Sequence, residues 1–153
     1  MKKIVHPIAA TVAMLCIGSF WLSSLVSELF LSREAIVLVK HTILQAMWVM
    51  IPAMAATGGS GFALSGLRKG NLLAGKGKRM QVIAANGILI LLPCAFYLYG
   101  KAAAGEIDAI FYTLQMVELV AGAANFSLMA LNFRDGLKLT GRLRRKGQAG
   151  FLQ

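Results

Sequence analysis

Charged residues are scarce in this sequence of 153 residues. Asp, Glu, Lys and Arg together make up 14% of the chain, and only six of them are acidic. A water-soluble domain of this length needs polar side chains over most of its surface, whereas 58% of the residues here are hydrophobic. The scarcity of charge therefore excludes a soluble globular domain and indicates that lipid is the main solvent.

Cysteine and catalytic motifs are also sparse. Cys16 and Cys94 are the two cysteines, and both lie inside apolar runs without CxxC spacing, which excludes a disulfide framework and a zinc site. The sequence contains no HExxH motif, no nucleophile elbow and no paired-aspartate signature. We therefore assign no catalytic residue and no metal ligand, and whether the protein is an enzyme stays open.

The sequence does contain four long apolar runs. Each has about twenty residues or more, which is the length that crosses the hydrocarbon core of a bilayer. They lie at about 4–30, 35–57, 80–99 and 107–133. The second ends in a glycine-rich stretch or continues through it to about residue 67, and Pro93 predicts a kink in the third. We predict an all-α, up-down bundle of four transmembrane helices over residues 1–133, followed by a basic cytoplasmic tail over 134–153.

The distribution of basic residues predicts the orientation. Thirteen Lys and Arg residues lie before the first run, between the second and third, or after the fourth. The opposite side holds three, Arg33, Lys40 and Lys101. The positive-inside rule therefore places both termini in the cytoplasm. A net charge of +10 in these positions favours anionic lipid headgroups over nucleic acid, and we predict a multi-pass protein of a bacterial-type inner (plasma) membrane.

Polar residues of the fourth run share one helical face. The face holds Gln115, Glu118, Gly122, Asn125, Met129 and Asn132, spaced at i, i+3, i+7, i+10, i+14 and i+17. A carboxyl at membrane depth is costly and usually faces the interior of a bundle. The face predicts either helix packing, with Gly122 admitting a neighbour, or a functional site around Glu118.

The second run carries a similar face of His41, Gln45, Trp48 and Pro52. We predict that it meets the fourth helix in a cofactor-binding or proton-relay site made of Lys40, His41, Gln45, Tyr112, Gln115 and Glu118. The long side chain of Lys40 could reach Glu118 or Glu28, or could extend toward the membrane surface. An interfacial Lys-His pair at a helix start is the alternative.

A second polar patch is predicted nearer the cytoplasmic side. It contains His6, Thr57, Asn86 and Asn125, and helix packing is again the alternative role. At a rise of 1.5 Å per residue, His6 and His41 are separated by most of the membrane thickness. They are therefore poor candidates for the two axial ligands of one haem.

A short part of the chain resembles a known group of proteins. His41 and the stretch Ile51-Pro52-Ala53-Met54-Ala55 look like the second helix of small bacterial four-helix haem-associated membrane proteins. The resemblance covers roughly twenty residues, and it implies haem b or a quinone as a cofactor. The paired-histidine pattern of the cytochrome b561 type is missing.

Three functions are consistent with these features. The first is an accessory or assembly subunit of a membrane complex, whose small-residue surfaces contact other membrane-protein subunits or a second copy of the chain. The second is a redox subunit that binds haem b or a quinone. The third is a small transporter or channel component, in which Glu118 and the asparagines line a polar path. All three have the lipid bilayer as a partner.

Overall fold

Helices make up all the secondary structure in the described part of this computed structural model, which covers residues 2–65 and 71–139. The elements are α1 (Lys2–Phe30), α2 (Arg33–Ser65), α3 (Asn71–Asn86), the π-helical segment π1 (Gly87–Leu91), α4 (Leu92–Ala103) and α5 (Ala109–Leu139). Side chains are described for residues 6–61 and 75–138. The predicted basic loop at Arg68 and Lys69, and the tail beyond residue 139, lie outside the described residues.

Four helices are long and apolar enough to cross a membrane. These spans are His6–Phe30, Arg33–Gly61, Gly75–Ala103 and Ala109–Lys138, of which the third joins α3, π1 and α4. Only 17–28% of the most apolar part of each span is buried inside the protein, so large apolar side chains cover the outside. The described residues confirm the predictions of an all-helical fold and of four helices long and apolar enough to cross a membrane.

Two helices extend further than predicted, and α2 has the longer of its two predicted lengths. Helix α2 continues through the glycine-rich stretch to Ser65, α3 begins at Asn71 instead of near residue 80, and α5 continues to Leu139, into the predicted tail. A lipid environment offers no water to backbone N–H and C=O groups, so a helix that satisfies them internally is favoured even where glycine would break it in water.

The third span changes its helical pitch where the sequence predicts a kink. Segment π1 ends at Leu91, and Pro93 follows in the first turn of α4. Proline has no N–H, and its ring clashes with the carbonyl four residues earlier. A π-helical turn directly before it accommodates both effects without ending the helix.

Buried apolar side chains form small clusters between the helices. One consists of Ile36, Cys94, Leu98, Ala102 and Phe111, and joins α2, α4 and α5. It lies next to the two short connections, residues 31–32 and 104–108. Both connections are therefore at one end of the helices, which we call the turn end.

The second connection of the turn end is defined by hydrogen bonds at both of its sides. Gly105 has a φ of 75°, and the N–H groups of Gly105 and Glu106 donate to the carbonyls of Ala102 and Lys101, which is a Schellman ending for α4. The Asp108 Oδ1 atom accepts the Phe111 N–H at 2.9 Å and caps α5. This bond, together with the Lys101 ammonium, lowers the pKa of Asp108.

Asp108→Ala is expected to lower the midpoint of thermal unfolding in detergent at pH 7. The pKa of Asp108 is lower in the folded protein than in the unfolded chain. The carboxylate therefore stabilises the fold at a pH above its unfolded pKa of about 3.9, and this stabilisation is lost as the pH falls through the folded pKa. The difference from wild type should therefore shrink at pH 3. The control is Glu106→Ala, since Glu106 shares the Lys101 contact; equal effects of the two variants would contradict the capping role.

Candidate functional site

Lys40 is the centre of a polar cluster inside the bundle. Its side chain is 1% exposed, and its ammonium donates to Gln115 Oε1 at 2.5 Å, Glu118 Oε2 at 2.6 Å and Ser24 Oγ at 3.3 Å. An ammonium has three donors, so each has an acceptor here. The cluster joins α1, α2 and α5.

A second carboxyl completes the cluster. Both carboxyl oxygens of Glu28 are buried, and neither has a hydrogen-bond partner among the described residues. Glu28 lies within electrostatic range of Lys40 and Glu118. Two carboxyl groups thus accompany one ammonium in a largely apolar environment, and full ionisation would leave one uncompensated negative charge. We refer to Ser24, Glu28, Lys40, Gln115 and Glu118 as the Lys40 cluster.

The Lys40 cluster extends from the turn end toward mid-membrane depth. At 1.5 Å per residue, Glu28 lies about 3 Å along the helix axis from Phe30, the last residue of α1. On the same scale Lys40 lies about 11 Å from the start of α2, and Glu118 about 14 Å from the start of α5. The hydrocarbon core is about 30 Å thick, so Glu118 lies near its middle.

A small cavity lies beside Glu118. Its volume is about 50 Å³, and Ser24 and Glu118 contribute polar groups to a lining that is otherwise apolar, including Met47, Leu91 and Gly122. A cavity needs at least roughly 10–15 Å³ to hold a water molecule. The space therefore has the size for water beside the Glu118 carboxyl, within a lining that is otherwise apolar.

Trp21 closes the site against α5. Its indole N–H donates to the Leu119 carbonyl at 2.8 Å, and a Cβ atom added at Gly122 would lie 3.0 Å from Trp21 Cδ1. Gly122 therefore admits a neighbouring side chain, as the sequence predicts. The close contact fixes α1 against α5 next to the Lys40 cluster.

Three residues of the predicted site lie elsewhere. His41 is exposed and its ring stacks on Tyr99, with centroids 5.4 Å apart. Gln45 is exposed, and Tyr112 is 52% exposed. The structure thus brings Lys40, Gln115 and Glu118 together and leaves His41, Gln45 and Tyr112 on the outside, because Lys40, and not its neighbour His41, points inward from α2.

The predicted second patch is divided between two pairs of helices. On α1 and α2, His6 Nδ1 lies 3.0 Å from Ser60 Oγ and 3.2 Å from the Thr57 carbonyl oxygen. On the third span and α5, Asn86 Nδ2 donates to Asn125 Oδ1 at 2.8 Å and to the Ala121 carbonyl at 2.9 Å. Each pair bonds across helices, as polar residues that support packing do.

A further ion pair lies near the end of α5 that is remote from the turn end. Arg79 donates to Asp135 at 2.8 Å and to Asn132 at 3.2 Å. No sequence pattern predicted a role for Arg79, Asp135 or Ser24, or the unpartnered state of Glu28. The only available signal was the continuation of the α5 face by three residues, from Asn132 to Asp135.

The histidines do not fit a haem held between them. His6 is engaged by Ser60 and Thr57, whereas His41 is exposed on the other side of α2, against Tyr99. The predicted quinone ligands His41, Gln45 and Tyr112 face outward, away from the Lys40 cluster. The geometry therefore gives the haem b and quinone interpretations no support.

The chain matches no known protein family, no curated protein and no solved structure. The four apolar helices are compatible with a multi-pass membrane protein, and the Lys40 cluster is the feature from which a more specific role can be argued.

Proposed function

We propose that this protein is a small proton-transfer component of the bacterial inner membrane, in which the Lys40 cluster takes up and releases one proton. The observation that carries this proposal is the ion pair between Lys40 and Glu118 at 2.6 Å, with side chains 1% and 12% exposed, together with the buried and unpartnered oxygens of Glu28. We retain the up-down bundle with both termini in the cytoplasm as part of the proposal, so the turn end faces the periplasm.

The charge balance of the cluster supports proton binding. Desolvation strongly disfavours an uncompensated charge in a low-dielectric environment. Lys40 can compensate one carboxylate, so either Glu28 or Glu118 is stabilised by gaining a proton. A proton that moves from one carboxyl to the other leaves the total charge unchanged, which makes the exchange inexpensive.

The position of the cluster supports a path through half of the membrane. Within the Lys40 cluster, Glu28 is the residue nearest the water at the turn end, since it lies about 3 Å along the helix axis from the end of α1. Glu118 is the deepest carboxyl, and the cavity beside it reaches Gly122, one turn further along α5. Asn125 and Asn86 lie beyond that point and continue the polar face toward Asp135.

Proton flux into proteoliposomes tests this function. Vesicles that contain the purified protein and a pH-sensitive dye receive a potassium diffusion potential from valinomycin, and the initial rate of internal pH change is measured. Wild type is expected to exceed empty vesicles, and Glu118→Gln, which cannot take up a proton, is expected to lower the rate at least about tenfold.

Glu106→Gln is the matched control for this measurement. It makes the same chemical change at a carboxyl that pairs with Lys101 outside the cluster, at 3.0 Å, so the flux should stay at the wild-type rate. Wild-type flux no higher than that of empty vesicles, or equal flux in Glu118→Gln and wild type, would exclude the proposal. Gel filtration of each variant in detergent checks that the fold is retained.

The role of an accessory or assembly subunit stays a prediction. It is compatible with proton transfer, because a proton-transfer component can belong to a larger complex. Purification from native membranes in mild detergent, followed by mass spectrometry, identifies any protein that remains bound.

A further inference from the structure

The outward face of α2 carries an exposed carboxamide, Gln45, near the middle of its span. It is a stripe with alternating spacings of three and four residues, which we call the α2 seam: Leu38, His41, Gln45, Trp48, Pro52, Ala55 and Gly59. All seven are exposed, with Trp48 at 84%. Spacing of this kind is the pattern by which two helices pack along a left-handed seam.

Two residues of the α2 seam are polar at membrane depth. Gln45 lies near the middle of the span Arg33–Gly61, where lipid offers its amide no hydrogen-bond partner. The outward face of α1 provides the comparison, since the large residues exposed along it, Ile8, Leu15, Leu22, Val26 and Leu29, are aliphatic, with the aromatic Phe30 at its end and one small hydroxyl, that of Ser19. Lipid contact explains the α1 face and leaves the α2 seam unexplained.

We infer that the α2 seam is the interface with a second copy of this chain. A carboxamide carries both a donor and an acceptor, so Gln45 can pair with the same residue of a copy related by a two-fold axis along the membrane normal. Such an axis places identical positions of two parallel helices opposite each other, and the interface is self-complementary. No second type of protein is required to satisfy the amide.

The rest of the α2 seam fits this arrangement. A Cβ atom added at Gly59 would meet nothing within 4 Å, and Ala55 is also small, so the two backbones can approach closely at that end. Trp48 offers a large apolar surface at the centre of the contact. His41 stacks on Tyr99 and lies at the edge of the seam toward α4.

Cysteine cross-linking in membranes tests this interface. Cys16 and Cys94 are first replaced by alanine, and Ala55→Cys is introduced on the α2 seam, which leaves Gln45 in place. Oxidation with copper phenanthroline is expected to give a band at twice the chain mass of 16.4 kDa. Ala130→Cys, also exposed but on α5, is the matched control and should stay monomeric.

A second measurement decides whether Gln45 contacts a second copy of the chain or lipid. Fluorescently labelled protein is diluted in lipid, and its dimerisation is measured. Gln45→Leu is expected to weaken dimerisation about tenfold, because a hydrogen bond between helices is lost. Leu22→Ala on α1 should leave dimerisation unchanged. The inference does not depend on the proton-transfer proposal, so either can fail alone.

Three results would overturn the inference. Equal cross-linking of Ala55→Cys and Ala130→Cys would indicate random collision, and an adduct of Ala55→Cys whose mass is not twice that of the chain would identify a different protein on the seam. Unchanged or tighter dimerisation of Gln45→Leu would show that the amide does not lie between two copies.

Discussion

Lys40→Met is expected to lower the free energy of unfolding by about 3–5 kcal/mol, the usual cost of removing one partner of a buried ion pair. The ammonium has Gln115, Glu118 and Ser24 as acceptors, and methionine replaces none of these bonds. Two carboxyl groups, Glu118 and Glu28, then remain in the interior without a cation. The large effect follows from these groups and not from the lost side-chain volume, since methionine has a similar length.

The double variant Lys40→Met with Glu118→Leu separates ion pairing from packing. Replacing both charges with apolar groups of similar size is often neutral or stabilising, so the double variant should recover the part of the loss that comes from the Glu118 carboxylate, while Glu28 stays without a cation. Equilibrium unfolding in detergent measures all four members of the cycle. Lys101→Met is the control, because Lys101 pairs with exposed carboxylates and such pairs contribute little. A double variant less stable than either single one would contradict this account.

Gly122→Val is expected to destabilise the protein by about 1–3 kcal/mol through overpacking. A Cβ atom at this position lies 3.0 Å from Trp21 Cδ1, and the indole is held by its bond to the Leu119 carbonyl. The ring cannot move away without losing that bond. The variant therefore separates α1 from α5 beside the Lys40 cluster.

Tryptophan fluorescence reports this change directly. The chain has two tryptophans, so Trp48→Phe leaves Trp21 as the only tryptophan. Gly122→Val should shift its emission, whereas Gly100→Val should not, because a Cβ atom at Gly100 meets nothing within 4 Å. Equal shifts in the two variants would show that Gly122 has no special role in the contact with Trp21.

The helical spans and the inward face of α5 were predictable from the sequence. Apolar runs of membrane-crossing length have few alternatives to helix in lipid, and helical spacing groups the polar residues of α5 on one side. Gln115 is 2% exposed, Asn125 1% and Asn132 6%. The polar stripe of α5 was therefore enough to determine which side of that helix faces the bundle.

The inward face of α2 was not predictable in the same way. Lys40 and His41 are neighbours, so about 100° separates them around the helix, and both are polar. The choice depends on partners from distant parts of the chain: Ser24, Gln115 and Glu118 fill the three donors of an ammonium, which an imidazole could not use. Lys40 therefore faces inward, and His41 stacks on Tyr99.

The π-helical segment Gly87–Leu91 lets the two halves of the third span pack differently against the neighbouring helices. A wider turn rotates everything after it relative to an unbroken α-helix, by up to about 100° for each additional residue. Before the turn, Asn86 bonds to Asn125 of α5; after it, Cys94, Leu98 and Ala102 pack with Ile36 of α2 as well as with α5. The polar half and the apolar half of the same helix can thus be aligned independently, which one continuous spiral of fixed pitch would not allow.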